Sequence, residues 1–328
     1  MLKSLIRNFL RILINSPKDS FIVKYKYQIK PRINIVNRLF EFNYTTVGIL
    51  IQGPIIWEND FTLETVNYYR AIYPKIKIIV STWEDDTFPV IEDVILIKNI
   101  KPDYFGVQNI NLQIKSTISG IKMAHELGLT RLLKTRSDTR INNIDAIGFM
   151  ESILDTFPPH DNIYLKKRLI SSNMVTIRDR PYGLSDLVMY GVIDDMLNYW
   201  NIKYDYRTNK DIELEKSNNS ADFNQIAFAK LRLGEVYPCS LFAEKIYDKI
   251  DWSMEQTFAM YKRYFCIINA HDLGLFWFKY SYENGDRFEN RFSREGLIRF
   301  NFAEWLQLFS GYTINTNCDS KFLHKIKW

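Results

Sequence analysis

The chain contains 328 residues, of which 46% are hydrophobic and 25% are charged. That length can hold one large domain with additions or two modest domains, and the composition is that of an ordinary globular protein. No stretch approaches the roughly 20 consecutive apolar residues that a membrane-spanning helix needs. The cysteines (Cys239, Cys266 and Cys318) lack the spacing of a disulfide framework or a zinc site, which fits a reducing cytosol, and four histidines argue against a histidine-built metal cluster.

The net charge of +5 is unevenly distributed along the chain. Residues 1–38 hold nine lysines or arginines and one acidic residue, so the rest of the chain carries 34 basic and 37 acidic side chains. A nucleic-acid-binding protein more often spreads its basic residues over a folded face. We therefore expect no nucleic-acid partner, and a basic N-terminal arm attached to a slightly acidic body.

Residues 1–14 have the pattern of a basic amphipathic helix. Lys3, Arg7 and Arg11 recur every four residues, and apolar residues fill the other faces. Helices of this kind lie on anionic membrane surfaces, and the charges interrupt the apolar run too often for a signal peptide. The pattern favours association with an anionic membrane surface, and a terminal helix packed on the body is the alternative.

From Val47 onward, buried strands alternate with amphipathic helices. The predicted strands are short, largely apolar segments at residues 47–51, 76–80, 94–97 and 132–135. The first of them is a continuous apolar run, as expected for a strand covered on both faces. The predicted helices carry apolar residues three and four apart, at residues 61–72 and 111–127, and Gly128 is expected to end the second of them. This alternation predicts an α/β fold with a mostly parallel sheet.

Three of the predicted strands end in polar triplets, Gln52-Gly53-Pro54, Ser81-Thr82-Trp83 and Arg136-Ser137-Asp138. Ligands of open α/β sheets bind outside the carboxyl ends of the strands. Parallel strands would bring all three triplets to one edge, so we expect a ligand there, with Asp138 at its centre. In the alternative, Asp138 caps a turn and Arg136 pairs with a nearby carboxylate. The chain has no GxGxxG and no GxxxxGK[ST], which argues against a dinucleotide fingerprint and a P-loop.

The pattern is looser after Asp138. We expect helices at residues 144–157, 192–200 and 221–233, strands at 163–170 and 186–190, and an exposed polar loop at 205–220. Asp222 stands in the first turn of the last of these helices, where a carboxylate commonly interacts favourably with the positive end of the helix dipole. Residues 276–328 are basic and aromatic, and most of these aromatic side chains are expected in the core.

Four blocks in this order resemble the WavE lipopolysaccharide-synthesis family: Ile49 to Ile55, Leu63 to Tyr69, Ile78 to Trp83 and Thr135 to Asp138. These bacterial proteins are taken to be glycosyltransferases with a GT-A-like fold. The resemblance implies a Rossmann-type, mostly parallel central sheet with helices on both faces. It also implies a nucleotide-sugar and acceptor domain at residues 46–275. The residue pattern itself adds the basic helical arm at 1–45 and the aromatic, basic extension at 276–328.

The resemblance further implies a nucleotide-sugar donor lying across the carboxyl ends of the first strands. The residues expected to bind this donor by position are Gln52, Gly53, Pro54, Thr82, Trp83, Asn111, Gln113, Ser116, Arg136 and Asp138. The triplet Arg136-Ser137-Asp138 occupies the place of the DxD motif, whose carboxylates hold a divalent cation on the diphosphate.

Arg136 stands where the motif has its first carboxylate, which leaves two readings. Asp138 and His271 could bind Mg²⁺ or Mn²⁺, with water and the diphosphate completing an octahedron. Alternatively, Arg136 itself neutralises the leaving diphosphate and no metal is needed. Either cation would serve the chemistry, because departure of the nucleoside diphosphate places negative charge on the bridging oxygen.

An inverting transferase also needs a general base for the acceptor hydroxyl. Asp186 and Asp222 are the candidates, and for each the alternative is a capping or ion-paired surface aspartate. A retaining enzyme would need a different assignment, and the sequence leaves the stereochemistry open.

These expectations combine into a cytoplasmic glycosyltransferase, peripheral on the inner face of the bacterial inner membrane. Its acceptor would be a lipid-linked or oligosaccharide precursor of lipopolysaccharide or capsular polysaccharide. One alternative is a sugar nucleotidyltransferase, although the Gly/Arg/Lys-rich first loop of such enzymes is missing after residues 47–51. The other is a non-catalytic subunit of a polysaccharide assembly complex that binds sugar nucleotides.

Overall fold

A seven-stranded sheet organises the part of the chain that the computed structural model describes, residues 44–159, 164–218, 224–280 and 296–318. The strands follow the order β3-β2-β1-β4-β7-β6-β8 across the sheet. Their bounds are β1 Val47–Gln52, β2 Lys77–Trp83, β3 Val94–Asn99, β4 Arg131–Arg136, β6 Leu169–Ser172, β7 Met189–Val192 and β8 Phe265–Ile268.

The first four strands form the parallel half of the sheet. β1 lies between β2 and β4, and its register places Gln52 beside Ser81 on one side and Arg136 on the other. All six residues of β1 are buried, as its continuous apolar run predicts for a strand covered on both faces. The parallel pairing therefore brings the three polar triplets to one edge of the sheet, as the sequence predicted.

The second half of the sheet is mixed. β7 pairs antiparallel with both β4 and β6, and β6 pairs parallel with β8. A separate two-stranded sheet joins β5 (Thr139–Ile141) to β9 (Leu275–Trp277). This second pairing attaches residues 275–277 directly to the segment that follows Asp138.

Nine helices are described within these ranges. They are α1 Phe61–Ile72, α2 Ile110–Glu126, α3 Ala146–Thr156, α4 Ile193–Trp200, α5 Asn209–Asn218, α6 Gln225–Lys230, α7 Val236–Ile246, α8 Met254–Tyr264 and α9 Phe302–Phe309. The longest, α2, packs on β1, β2 and β3. Its Gly120 lies so close to Leu50 that an added Cβ would come within 2.1 Å of a Leu50 methyl group, and Gly128 has the positive φ of a helix C-cap.

The fold class is confirmed: a mostly parallel seven-stranded sheet with flanking helices. Two strands begin later than predicted, at 169 and 189 instead of 163 and 186. The prediction of a loop at 205–220 was wrong, because α5 occupies most of it. Most of the described residues of this segment are exposed, as predicted, but Asp205 is buried. The predicted helical arm and Asp222 lie outside the described residues.

Within the described residues, no helix has the length and apolarity that crossing a membrane requires.

Candidate active site

A cleft of about 430 Å³ opens at the carboxyl edge of the parallel strands. It lies between the N-terminus of α2, the end of β4 and loops from the second half of the chain. Its polar lining residues are Gln108, Asn109, Gln113, Arg136, Arg180, Asp186, Glu235, Lys279 and Tyr280. Three cations thus face two carboxylates, beside the aromatic rings of Phe228 and Trp277. Of the predicted donor-binding residues, Gln113 and Arg136 line this cleft, as does the candidate base Asp186.

Arg136, the last residue of β4, is fixed by a bidentate ion pair. Its Nε and a terminal nitrogen donate to the two Asp138 carboxylate oxygens at 2.9 and 3.0 Å. Trp277 Nε1 donates to the same carboxylate at 3.0 Å, and Phe278 N donates to the Asp138 carbonyl. The Arg136 side chain is still 28% exposed. The ion pair with Asp138 therefore fixes the charged guanidinium of Arg136 at the cleft.

The pKa of Arg136 reflects these neighbours. Burial alone would lower the pKa, but the charge and hydrogen bonds of Asp138, helped by Asp186, outweigh burial and raise it. The arginine thus keeps its positive charge in a partly dry site, where electrostatic interactions are stronger than in water. Such a group is suited to stabilise negative charge that develops on a bound ligand.

The side chains around Asp138 do not fit a divalent cation held by the protein. Both Asp138 oxygens already accept hydrogen bonds, from Arg136 and Trp277. His271 is exposed in the turn between β8 and β9, and it is not among the described residues that line the cleft. Within the described ranges, no group of three His, Cys, Asp or Glu side chains is placed to hold a metal ion. The metal assignment of Asp138 and His271 stays a prediction.

Asp186 is held at the cleft from two sides. Gln113 Nε2, on the first turns of α2, donates to an Asp186 carboxylate oxygen at 2.6 Å. Beneath it, the buried Lys134 ammonium donates to the Asp186 backbone carbonyl. One carboxylate oxygen of Asp186 is thereby oriented by an amide, in the way that a general base needs a fixed direction.

Arg180 and Glu235 are site residues that the sequence reasoning missed. They form an ion pair at 3.1 Å, and Arg180 also donates to Gln225 at 3.1 Å and lies 4.0 Å above the Phe228 ring centre. Burial raises the pKa of Glu235, and the nearby Arg180 partly opposes this shift. Glu235 is therefore a second carboxylate in the cleft that could take a proton.

Four other predicted donor-binding residues are buried and do not line the cleft. Ser116 donates to Gln52 at 2.7 Å within the core, and the Thr82 hydroxyl donates to Asp86, which also accepts from Trp83 N at 3.4 Å. These contacts stiffen the ends of β1 and β2 and leave Gln52, Thr82, Trp83 and Ser116 away from the cleft lining.

Gly53, Pro54 and Asn111 complete the set of predicted donor-binding residues. Gly53 has a φ of +119°, and an added Cβ would come within 2.8 Å of the Ser137 hydroxyl, so the first and third triplets touch. Pro54 is exposed and Asn111 is buried. None of the three is among the described residues that line the cleft.

Lys134 is a buried lysine on β4 beneath the cleft, and its pKa predicts a pH-dependent stability. Burial lowers this pKa from 10.5 to about 7, although Asp186 and Asp138 partly oppose the shift. Between about pH 7 and 8.5 the unfolded chain would hold a proton on Lys134 that the folded chain has released, so raising the pH should stabilise the fold. We expect this residue to contribute about 1–2 kcal/mol of added unfolding free energy over that window.

Denaturant unfolding at several pH values tests this prediction by comparing the native chain with Lys134→Met. The variant should lose the rise that Lys134 contributes, while all other groups titrate alike in both proteins. Lys122, an exposed lysine of α2 that does not line the cleft, supplies the control: Lys122→Met should keep the slope of the native chain. Parallel pH curves for the native chain and Lys134→Met would contradict the prediction.

Comparisons with solved structures found low similarity. One is a glycosyltransferase involved in glycosylation of the major capsid of PBCV-1, at 12% identity and a TM-score of 0.28, covering 47% of this chain and 65% of the other. This chain thus spans just under two thirds of that protein's length. Another is the mannose-1-phosphate geranyltransferase of Thermus thermophilus, at 12% identity and a TM-score of 0.35, covering 60% and 71%.

A third structure is a cytidylyltransferase from Leptospira borgpetersenii serovar Hardjo-bovis (strain JB197), at 13% identity and a TM-score of 0.28, covering 54% of this chain and 73% of the other. No curated protein sequence matches this chain. The profile of one family does match, over residues 47–326, and its description is WavE lipopolysaccharide synthesis. This match covers most of the chain and confirms the resemblance seen in the four sequence blocks: the protein belongs to the WavE lipopolysaccharide synthesis family.

Proposed function

We propose that the protein is a glycosyltransferase that moves a sugar from a nucleotide-sugar donor to a lipopolysaccharide or capsular polysaccharide acceptor. The observation that carries this proposal is the cleft itself, where Arg136 faces Arg180, Lys279 and Asp186 at the carboxyl edge of a parallel sheet. Cationic side chains can bind the oxygens of a diphosphate. A carboxylate held in a fixed direction can take the proton of an acceptor hydroxyl. Family membership supports a role in lipopolysaccharide synthesis.

The diphosphate would lie between the cations and the N-terminus of α2. Gln108 and Asn109, which precede this helix, have φ values of 55° and 63°, a backbone conformation that costs free energy outside glycine and is often found at binding sites. The first turn of α2 contains no acidic residue and its N-cap makes no side-chain cap hydrogen bond. A 17-residue helix thus directs the positive end of its dipole toward the three cations.

The chemistry would be a direct displacement at the anomeric carbon. The oxygen of the acceptor hydroxyl forms a bond to that carbon, and the bond from the carbon to the diphosphate oxygen breaks. The electron pair leaves with the nucleoside diphosphate, whose new negative charge lies beside Arg136. The hydroxyl proton passes to the Asp186 carboxylate oriented by Gln113. This route inverts the anomeric configuration, and Asp222 is the rival base.

Arg136, rather than a protein-held metal ion, would supply the cation for the leaving group. Its bidentate pair with Asp138 gives it a fixed direction, and a fixed guanidinium matches the geometry of phosphate oxygens. The engagement of both Asp138 oxygens favours this metal-independent reading over the Mg²⁺ or Mn²⁺ site at Asp138 and His271.

The two rival functions make different demands on the same cleft. A sugar nucleotidyltransferase would have to bind a nucleoside triphosphate and a sugar phosphate, and so would release pyrophosphate. A non-catalytic subunit would bind a nucleotide sugar and leave it intact. Asp186, oriented within the cleft, favours catalysis, because a binding subunit has no use for a directed base.

Calorimetric titration of UDP, GDP, CDP and CMP into the full chain, each with and without Mn²⁺, tests the proposal. We expect one nucleoside diphosphate to bind more tightly than the others, with an affinity that changes little on adding Mn²⁺. Incubation with the matching nucleotide sugars should then show slow donor hydrolysis. Failure of every nucleotide to bind under both conditions would contradict the proposal, and binding without any turnover would favour the non-catalytic subunit.

The cellular setting of this reaction rests on residues outside the described ranges. We propose that the basic residues of the N-terminal arm hold the enzyme to the inner face of the inner membrane, near a lipid-linked acceptor. Cosedimentation with anionic vesicles, comparing the full chain with a chain lacking residues 2–14, tests this location. Equal sedimentation of the two chains would contradict it.

A further inference from the structure

A second cleft, of about 310 Å³, lies beside the first and exposes aromatic rings. It is formed by residues 103–107 and 205–209. Tyr104 is 65% exposed and Tyr206 is 67% exposed, and their ring centres are 5.9 Å apart in an edge-to-face arrangement. Phe105 adds a third exposed ring. Large apolar groups that gather on a surface in this way commonly mark a binding site.

We propose that this second cleft binds the carbohydrate part of the acceptor, with a sugar ring lying against Tyr104 and Tyr206. The assignment rests on the proposed function, because it gives the acceptor of that reaction a place on the enzyme. The negative face of an aromatic ring attracts the polarised C–H groups on one face of a pyranose. Asp103, Thr208 and Asn209 line the same cleft and can bond to sugar hydroxyl groups.

The two tyrosines are held on a rigid backbone by Asn111. The Asn111 side-chain nitrogen donates to the Tyr104 carbonyl at 2.9 Å and to the Asp205 carbonyl at 2.7 Å, and its oxygen accepts from Asp205 N at 2.7 Å. One buried amide thus joins the two loops that carry the rings. Binding to such a site loses little conformational entropy, because the loops are already ordered.

The charges of this cleft favour a neutral sugar over a phosphate group. Arg207 is the cation among the lining residues, and its nitrogens already donate to Asp205, Leu231 and Arg232 at 2.7–3.1 Å. The remaining charged side chains of the lining, Asp103 and Asp205, are acidic. An anion would therefore meet carboxylates and an engaged arginine, whereas sugar hydroxyl groups can donate to the carboxylate of Asp103.

The position of the second cleft suits an acceptor. Val107 lines it, and the next residue in the chain, Gln108, lines the first cleft. The loop before α2 therefore contributes lining residues to both clefts. A sugar bound at Tyr104 would lie next to the site where we place the donor, and a chain of two or three sugars could extend one hydroxyl toward Asp186.

The test uses the core oligosaccharide released by mild acid from the lipopolysaccharide of the organism that encodes this chain. Its binding to the full chain is measured by saturation-transfer NMR and calorimetry, with the bound nucleoside diphosphate present and absent. We expect Tyr104→Ala with Tyr206→Ala to weaken oligosaccharide binding about tenfold, and the matching phenylalanine double variant to retain it, because the ring carries the contact. Nucleotide affinity should be unchanged in all variants.

Tyr312→Ala is the matched control, since Tyr312 is 70% exposed and lines neither cleft. Circular dichroism melting confirms that each variant folds. The proposal is overturned if the native chain does not bind the oligosaccharide, or if the alanine double variant binds it as well as the native chain and Tyr312→Ala do. If the oligosaccharide binds through the tyrosines and no nucleotide binds at all, the proposed transferase function fails while the carbohydrate site stands.

Discussion

Replacing Asp186 with asparagine is expected to slow sugar transfer by about 10²–10⁴-fold, the usual contribution of a positioned general base. Asparagine has nearly the same shape as aspartate and can still accept from Gln113, so the fold and nucleotide affinity should be retained. It cannot take a proton from the acceptor hydroxyl at neutral pH. The loss should therefore appear in kcat and in kcat/KM alike, as for a group that acts only in the transition state.

Two matched variants separate Asp186 from the other carboxylates. Glu235→Gln alters a residue of the same cleft that is paired with Arg180, and Asp222→Asn alters the rival base. Each enzyme is assayed for transfer and, by calorimetry, for nucleotide binding. If Asp222→Asn or Glu235→Gln loses turnover while Asp186→Asn retains it, Asp186 is not the base. If the product keeps the anomeric configuration of the donor, direct displacement itself is wrong.

The parallel half of the fold could be predicted from sequence because its signals are local. The apolar run of β1 is continuous, and β2 and β4 each contain a shorter apolar run, so all three indicated buried strands. The spacing of Ile114, Ile118, Ile121, Ala124 and Leu127 placed one apolar stripe on α2. Ile114, Ile121 and Ala124 are buried and Ile118 is half-buried, whereas Leu127 is 42% exposed. Parallel pairing then followed from the alternation of strands and helices, and with it the common edge of the three triplets.

The cleft lining could be predicted only in part, because much of it comes from distant segments. Arg180, Glu235 and Lys279 reach the cleft through long-range packing and through the pairing of β5 with β9, which no local pattern reveals. A chemical signal was available for Glu235, which is a lone charged residue among uncharged, mostly apolar neighbours at residues 233–237, but not for Arg180, which follows Arg178 and Asp179 in a charged run. Charged side chains in such stretches are usually paired in the folded protein.

Asn111 shows why position along a helix does not fix a residue's role. Its place on the first turn of α2 suggested contact with a nucleotide, whereas its side chain is occupied by the carbonyls of Tyr104 and Asp205 and by the Asp205 amide. The apparent loop at 205–220 was misjudged for a related reason. Its polar composition suggested exposure, but the ion pair between Asp205 and Arg207 satisfies the charges and allows Asp205 to be buried.

Replacing Arg136 is expected to give the largest loss of nucleotide affinity. In Arg136→Gln paired with Asp138→Asn, both charges are removed together, so no carboxylate is left buried without its partner, a defect that by itself would destabilise the fold. This double variant should bind the nucleoside diphosphate about 30–100-fold more weakly, since hydrogen bonds to charged groups are worth about 1.5–3 kcal/mol each. Binding of the nucleoside without phosphates should change little.

Arg178 offers a matched control for this experiment. It forms ion pairs with the adjacent Asp179 at 3.2 Å and with Glu304 at 3.7 Å, is 21% exposed, and does not line the cleft. Arg178→Gln with Asp179→Asn should therefore leave nucleotide affinity unchanged.

The single variant Asp138→Asn, with Arg136 intact, decides whether the Arg136 guanidinium or a metal ion at Asp138 binds the diphosphate. Retained, Mn²⁺-independent binding in Asp138→Asn supports Arg136 as the diphosphate ligand. Mn²⁺-dependent binding that is lost in Asp138→Asn would instead show that the metal reading is correct, because a guanidinium needs no ion to hold phosphate oxygens.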